Sequence, residues 1–437
     1  MIELPPKIDK KTLLDAVMMD VDAGLVPIIN KINTDYEYWD KVKYKPLPKG
    51  YTPEMLWTFV KASRLRGMIP VWDKYGINLC VTSQMQRICH DFDMKFGSFW
   101  EADNDSQSSE KKYYLSSSLM EEAIYSSKME GASTTRIVAK EMLRKKKSPQ
   151  NKAQQMIVNN YTTIQYIVEH KDEPLTEKGL LYIHRLMTEK TLDNPEDAGR
   201  FRTNNDVVVA NMLEGDIVHT PPTFEEIPEF VTTLCDFFNN ENHSTFIHPI
   251  IKGIIIHFMV AYMHPFVDGN GRTARALFYW YMLKQGYWLT EYLSISRVIA
   301  ATKKSYEKAY QYVEADYNDL GYFIAYNLKV LDQSFKQLQN YIKKKQEEKV
   351  LANTFLQLGD INERQAQIIR MFMENPKEVV TVKDLQNKFM VTPTTAKSDI
   401  VGLLKRGLLD EIAFNKVKRG YVKGQRYDDI VKDLELR

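Results

Sequence analysis

One run of twelve residues decides how this chain is interpreted, and it reads His264-Pro265-Phe266-Val267-Asp268-Gly269-Asn270-Gly271-Arg272-Thr273-Ala274-Arg275. Apolar side chains recur at helical spacing from Pro249 to Met263, which predicts a buried helix before it. That helix must end at His264, because Pro265 disfavours helical geometry in the residue that precedes it. The glycines and asparagine at 269–271 predict a turn whose backbone amides point into one concavity.

A second helix is predicted to begin near Arg272, with Arg275 one turn further on. Two arginines at this position are unusual, because the positive end of the helix dipole repels cations. A bound anion removes the conflict, and a polyphosphate is the chemistry that suits amides and guanidinium groups together. A calcium-binding EF-hand loop is excluded, since its required glycine and glutamate positions hold Thr273 and Tyr279.

This run resembles the HPFxDGNGRxxR signature of Fic-domain (Fic/Doc) proteins, and every defining position is present. The resemblance implies a mainly α fold with a β-hairpin flap, and transfer of AMP from ATP to a Ser, Thr or Tyr hydroxyl of a target protein. It also implies that Phe266 is buried and anchors the loop. The roles that it implies are a catalytic base at His264, a ligand for Mg²⁺ and nucleotide at Asp268, and phosphate-binding groups at Gly269, Asn270, Gly271, Arg272 and Arg275.

A second motif lies upstream, where residues 115–131 predict a helix that Gly131 ends in a left-handed cap. Glu130 lies in the last turn, where the helix dipole disfavours a negative charge. From these residues alone, a solvated glutamate is the simpler interpretation. However, the run Ser126-Ser127-Lys128-Met129-Glu130-Gly131 resembles the (S/T)xxxE(G/N) inhibitory motif of the Fic family. The resemblance implies that Glu130 pairs with Arg275 and blocks placement of the γ-phosphate, as in the intramolecularly inhibited class.

Two short β-prone runs, 207–210 and 217–219, predict a hairpin around a turn centred on 214–216. Such a hairpin can bind an extended peptide by adding a strand, and a decorative loop is the alternative. The resemblance implies that the segment at about 205–220 is the Fic flap, on which the target protein docks. From the pattern alone, His219 is interpreted as a surface residue of the edge strand.

Residues 295–312 predict one helix, on which Tyr306 and Tyr310 lie one turn apart. The resemblance implies that Tyr306 flanks the adenine, and a core position is the alternative. Residues 318–320 loosely resemble a later segment near the nucleobase. The spacing around His184 predicts a core histidine, not a metal ligand.

The last part of the chain predicts a winged helix-turn-helix, with helices at 362–375, 382–389 and 392–406 and a hairpin at 412–423. Exposed positions predicted to meet a partner are Thr394, Thr395, Lys397, Ser398, Lys405, Lys416, Lys418 and Arg419. DNA and protein partners both remain open, because this fold serves either. The predicted domains are an N-terminal helical region packed on the Fic core (1–110), a Fic domain (111–345) and the winged-helix domain (346–437), with the first boundary in a polar loop at 102–109.

Composition limits the class of protein and the cellular compartment that the sequence is compatible with. The 437 residues carry a formal net charge of +2, so any nucleic-acid surface must be local. Three scattered cysteines fit neither a disulfide framework nor a thiolate metal site, and they indicate a cytoplasmic protein. The N-terminus lacks signal-peptide features, and the longest apolar run contains Lys252, so we expect no membrane anchor.

Three alternatives to AMP transfer onto a separate target remain open. The first is a nucleotide-sensing, DNA-binding regulator with little transferase activity. The second is transfer of another phosphate-linked group. The third is self-modification by the same chemistry.

Overall fold

The computed structural model describes residues 2–98, 109–210, 215–240, 245–356, 361–376, 378–413 and 419–430. Within these ranges the chain is mainly helical, with antiparallel two-stranded hairpins, which confirms the predicted fold class. It divides into two compact units, 1–336 and 337–437. The predicted boundary loop at 102–108, the turn residue Glu214 and the wing residues Lys416 and Lys418 lie outside the described residues.

The N-terminal part of the first unit contains a hairpin that the sequence did not predict. Its strands are β1 (Met68–Trp72) and β2 (Ile77–Cys80), paired antiparallel. Pro70 counts against a strand in sequence, but a two-stranded ribbon has an open edge on which proline is tolerated. The surrounding helices are α1 (Lys10–Met18), α2 (Val26–Asp35), α3 (Trp39–Val42), α4 (Pro53–Leu65) and α5 (Ser83–Ser98).

Among the described residues, ten further helices begin in the first unit, and the run 264–275 joins two of them. They are α6 (Ser109–Met129), α7 (Arg136–Arg144), α8 (Lys152–Glu169), α9 (Glu177–Thr188), α10 (Ile227–Asn239), α11 (Pro249–Met263), α12 (Asn270–Lys284), α13 (Ile295–Ala301), α14 (Lys303–Ala315) and α15 (Gly321–Leu356). A short hairpin of β3 (Val209–Ala210) and β4 (Ile217–His219) lies between α9 and α10 in sequence. The central pair α11 and α12 is buried on nearly all sides, which explains the apolar sequence of α11.

The single helix predicted over 295–312 is wrong, because the chain forms α13 and α14 instead. The break lies at Thr302, whose backbone leaves helical geometry at φ −120° and ψ 31°. Its hydroxyl donates to the Val298 carbonyl and bonds the Tyr326 hydroxyl at 2.8 Å. A threonine hydroxyl that bonds backward along a helix competes with the regular ladder, which favours the break.

The second unit has its own core, formed around Phe372, Leu385 and Leu403. Its elements are α16 (Glu363–Glu374), α17 (Val382–Phe389), α18 (Pro393–Lys405), β5 (Leu409–Ala413) and β6 (Arg419–Lys423). Backbone pairing of Val380 with Tyr421 adds a bridge to the β5–β6 hairpin. Among the described helices of both units, none is long and apolar enough to cross a membrane.

Candidate active site

The loop between α11 and α12 is held in a single conformation by buried contacts. Helix α11 ends at His264, which adopts a left-handed backbone conformation with φ 46°. Phe266 is fully buried, as predicted, and stacks on His184 with ring centroids 3.7 Å apart. Both polar atoms of the Asn270 side chain bond the backbone of Phe266, at 3.0 and 2.8 Å. A side chain at Gly269 would come within 2.7 Å of Thr188, and the residue has φ +84°, so glycine is required there.

His264 is held as a neutral imidazole with one free nitrogen. Its Nδ1 lies in a short hydrogen bond with the carbonyl oxygen of Ala261. A carbonyl can only accept, so Nδ1 carries the proton and Nε2 keeps its lone pair. Burial lowers the pKa of His264 to about 4. The ring is therefore uncharged near neutral pH and can accept a proton at Nε2.

Arg272 is a buried cation whose hydrogen-bonding capacity is largely unused. The side chain is fully buried, and Nη1 donates to the carbonyl of Met187 at 3.1 Å. Its Nε and Nη2 have no hydrogen-bond partner in the described part of the chain, and the nearest carboxylate oxygen, on Asp268, is 3.6 Å from Nη2. Leaving a buried charge without hydrogen bonds is costly. An anion bound at the start of α12 would satisfy these donors.

Asp268 presents a carboxylate at the edge of this anion site. The side chain is about half exposed, and Oδ1 accepts from the amide of Gly269 at 2.6 Å. No group of three or more His, Cys, Asp or Glu side chains placed to hold a metal occurs within the described ranges. Mg²⁺ suits a single carboxylate combined with phosphate oxygens, so Asp268 fits a magnesium ion that arrives with a nucleotide.

Glu130 and Ser126 accept hydrogen bonds from the guanidinium group of Arg275. Glu130 Oε1 accepts from Nη2 at 2.8 Å, while the Ser126 hydroxyl accepts from Nε at 2.9 Å and its carbonyl from Nη2 at 3.0 Å. Gly131, with φ +91°, turns the chain immediately after Glu130. The structure therefore brings Ser126, Glu130 and Arg275 into one contact.

The carboxylate of Glu130 also lies over the first turn of α12. A Cβ atom placed on Gly271 would be only 2.4 Å from Glu130 Oε1. This position, at a helix N-terminus, is one that an anion favours. Burial by itself would raise the pKa of Glu130, but the charge and hydrogen bond of Arg275 lower it below its ordinary value. Glu130 is thus a charged group near neutral pH that lies at a helix N-terminus, where an anion is favoured.

A cavity of about 230 Å³ opens beside these groups. Glu130, His264 and Arg275 line it, together with Tyr306 and Tyr310 of α14. The hydroxyl of Tyr306 bonds His257 Nε2 at 2.9 Å and the Tyr310 hydroxyl at 3.0 Å. Ligand pockets usually exceed ~300 Å³, so the cavity is small while Glu130 fills one side of it.

The interpretation of His219 as a surface residue is wrong. Its side chain is only 11% exposed and lines the same cavity. The ring turns toward Tyr262 and Glu314, with which it forms hydrogen-bonding contacts. A three-residue strand gave no pattern that could have shown which face is buried.

Two residues support the site through contacts that spacing could not reveal. Arg202 is buried and donates to the carbonyl of His264 at 2.8 Å and to that of Asn204 at 2.8 Å. His184 is also buried, as predicted, with Nε2 2.8 Å from the carbonyl of Asp268. Burial lowers the pKa of His184 to about 4, so the ring is uncharged near neutral pH while it packs against the loop.

Residues 318–320, which loosely resemble a segment near the nucleobase, do not line the cavity. Asp319 instead accepts from Tyr36 at 2.6 Å and from Lys61 at 3.0 Å, and it lies 3.5 Å from Arg64. These partners belong to the N-terminal helices and the turn after α2. Asp319 therefore joins the N-terminal helices to α15 and does not line the cavity.

Comparison with known proteins gives matches to one family. The sequence model described as the Fic/DOC family matches residues 174–282. The chain is 31% identical over 128 residues to a protein from Nematostella vectensis named protein adenylyltransferase Fic, and 32% identical over 113 residues to one of the same name from Drosophila melanogaster. These matches cover 29% and 26% of this chain, and 26% and 21% of the relatives, so the chain spans about a quarter of their length.

A solved structure supports the same assignment at the level of fold. A Fic family protein from Desulfovibrio desulfuricans G20 superposes with a TM-score of 0.53 at 17% identity, covering 79% of this chain and 97% of that one. The matched range contains the run 264–275, with His264, Arg272 and Arg275. Residues 174–282 of this chain are thus similar in sequence to the Fic/DOC family, and the fold is shared with a Fic family protein.

Proposed function

We propose that this protein transfers AMP from ATP to a Ser, Thr or Tyr hydroxyl of a target protein. The observation that carries the proposal is a neutral, proton-accepting His264 at the end of α11, followed in the same run by the buried and unsatisfied donors of Arg272 at the N-terminus of α12. The first group suits deprotonation of an alcohol, and the second suits a phosphate chain. Relatives named protein adenylyltransferase support this pairing of functions.

In the proposed reaction, His264 Nε2 takes the proton as the acceptor oxygen attacks the α-phosphorus. A new bond forms between that oxygen and the α-phosphorus, and the bond to the bridging oxygen of the β-phosphate breaks, releasing pyrophosphate. Gly269 caps α12, whose first amides belong to Asn270 and Gly271, and the first amides of a helix have no intrahelical partners. With Arg272 they would hold the phosphates and stabilise the developing charge.

Asp268 would hold the magnesium ion that accompanies ATP. The ion would neutralise part of the phosphate charge. Tyr306 is proposed to contact the adenine, because its ring lines the cavity next to Arg275.

Glu130 is proposed to inhibit the enzyme from within the chain. Its carboxylate lies against Arg275 and over Gly271, so a terminal phosphate cannot bind Arg275 while it remains there. Because Glu130 is charged near neutral pH, release requires movement of the end of α6 and not protonation. The flap hairpin would then present a target segment beside His264, since Val209 and Val218 line the same cavity.

The choice of donor distinguishes this proposal from transfer of another phosphate-linked group. We expect the Glu130→Gly protein to incorporate label from ATP more efficiently than from GTP, UTP or CDP-choline. The tyrosines that line the cavity favour a planar base, and the relatives' names favour adenine. Competition assays with each unlabelled donor against labelled ATP measure the preference. Stronger competition by CDP-choline or UTP than by ATP would assign a different transferred group.

For the second unit we propose a winged helix-turn-helix that binds duplex DNA. The exposed face of α18 carries Thr394, Lys397, Ser398, Val401 and Lys405. The one carboxylate of this helix, Asp399, points inward and pairs with Arg364 at 2.7 Å. A face of donors and cations without a carboxylate suits a groove lined by phosphates and base edges.

Replacing Lys397 and Lys405 by glutamine is expected to weaken binding of a mixed-sequence duplex and to reduce its dependence on salt. Fluorescence anisotropy at several salt concentrations measures both effects. The Lys31→Gln protein serves as a control from the first unit. The protein-docking alternative would be favoured if the unmodified protein, the Lys397 and Lys405 double variant and the Lys31→Gln control bound DNA with equal affinity and salt dependence. It would also be favoured if none of them bound DNA.

A further inference from the structure

His219 connects the flap to two helices of the core. Its Nε2 lies 2.6 Å from the carbonyl oxygen of Tyr262, in the last turn of α11. Its Nδ1 lies 2.7 Å from Oε1 of Glu314, near the end of α14. The ring is mostly buried, and its centroid is 6.3 Å from that of His264. One side chain of β4 thus bridges three elements around the proposed base.

The two contacts require two protons on the ring. The backbone carbonyl of Tyr262 can only accept a hydrogen bond, and so can the carboxylate of Glu314. A neutral imidazole carries one N–H, so it would turn a lone pair toward one of these oxygens. Both contacts are satisfied together when His219 is an imidazolium.

We propose that protonated His219 is a positioning residue that pins strand β4 to α11 and α14, and so holds the acceptor segment of the target beside His264. The inference rests on the proposed transfer reaction and adds to it the residue that fixes the flap. The cavity side of the flap lacks another charged anchor among the described residues of β3 and β4. Loss of the pin would leave the acceptor hydroxyl free to move away from the base, which slows a reaction that depends on close approach.

The groups around His219 support opposite protonation states for the two histidines. Glu314 faces the ring from α14, and Tyr262 and His264 face it from the end of α11. Other charged groups that line the cavity are Glu130, Arg275, Lys303 and Glu307. Burial is the main reason for the low pKa of His264, and the charge of His219 lowers it further. A charged His219 therefore helps to keep the proposed base neutral.

The direction of the pH dependence follows from these states. His264 stays neutral and competent as pH falls toward its pKa of about 4. Because both contacts need a proton on each ring nitrogen, the pin is intact at low pH and is lost once the second proton leaves at higher pH. Transfer should therefore decline on the alkaline side because the flap loosens.

Glu314→Gln tests this, because an amide can donate to Nδ1 and keep the bridge with a neutral ring. In the Glu130→Gly background, we expect the rate of labelling with α-phosphate-labelled ATP to fall between pH 6 and 8. Adding Glu314→Gln should remove most of that fall. Adding Asp93→Asn should not, although it makes the same change from carboxylate to amide at a comparable pair, in which His248 Nε2 lies 2.9 Å from Asp93 Oδ2 at the other end of α11. An alkaline fall that is unchanged by Glu314→Gln would overturn the proposal.

Hydrogen exchange provides a readout that does not need activity. In the unmodified protein, exchange of a peptide covering residues 215–222, corrected for the intrinsic effect of pH, should be about 5-fold slower at pH 6 than at pH 8, the effect of one ordinary hydrogen bond. In Glu314→Gln the two values should converge. Equal protection at both pH values in the unmodified protein would show that the pin does not exist. If exchange depended on pH but the Glu130→Gly protein took up no label, the role of His219 in holding the flap would stand and the proposed transfer reaction would be rejected.

Discussion

Replacing Glu130 by glycine is expected to raise the transfer of label from ATP to protein by about 10- to 100-fold. The contact between Glu130 and Arg275 is a buried, charge-assisted hydrogen bond of 2.8 Å. Such bonds contribute roughly 1.5–3 kcal/mol, and each 1.4 kcal/mol is about a tenfold change in an equilibrium. Removing the carboxylate frees the guanidinium and clears the space above Gly271. Incorporation of label is measured in cell extract and on the protein itself.

A matched control is available on the same helix. Glu121 of α6 also forms ion pairs, with Arg136 and with Lys140 at 3.0 Å, but it does not line the cavity. Glu121→Gln should leave transfer at the level of the unmodified protein. A similar increase in both variants would mean that loosening α6 activates the protein, and that the carboxylate of Glu130 has no specific role.

Replacing His264 in the Glu130→Gly background is expected to reduce transfer by about 10²- to 10⁴-fold, the range that general-base catalysis contributes. The residue has φ 46°, a conformation that asparagine adopts more readily than alanine. His264→Asn therefore removes the base with less strain than His264→Ala. Binding of ATP should be retained in both variants, because the phosphates are proposed to bind Arg272, Arg275 and the amides of α12.

His170 provides the control for a histidine replacement. It stacks on Tyr166, with ring centroids 4.0 Å apart, and it does not line the cavity. His170→Ala should transfer at the rate of the Glu130→Gly parent. If His264→Asn transferred as fast as that parent while binding ATP equally well, His264 would not be the base.

The sequence predicted the local features of the site because they are contiguous. Pro265 fixes the end of α11, and Gly269 fixes the turn before α12, so the order of base, turn and arginines is readable without a structure. The buried position of Phe266 followed from the same run. What spacing could not show is that Arg272 retains unused donors, since this depends on Met187 and Asp268 around it.

The features that the sequence missed depend on residues far apart in the chain. The side chains that His219 contacts come from helices whose relative placement is set by tertiary packing. The contact of Asp319 with Lys61 and Tyr36 joins residues more than 250 positions apart. The β1–β2 hairpin and the break at Thr302 were missed because propensity is weak evidence where tertiary contacts decide the backbone.

The position of the transferred label tests the central claim most directly. The Glu130→Gly protein is incubated in parallel with ATP labelled at the α-phosphate and with ATP labelled at the γ-phosphate, and protein-bound label is measured after denaturation. AMP transfer predicts label from the α-phosphate alone, lost in the variant that also carries His264→Asn. Label from the γ-phosphate, or no protein-bound label from either nucleotide, would contradict the account.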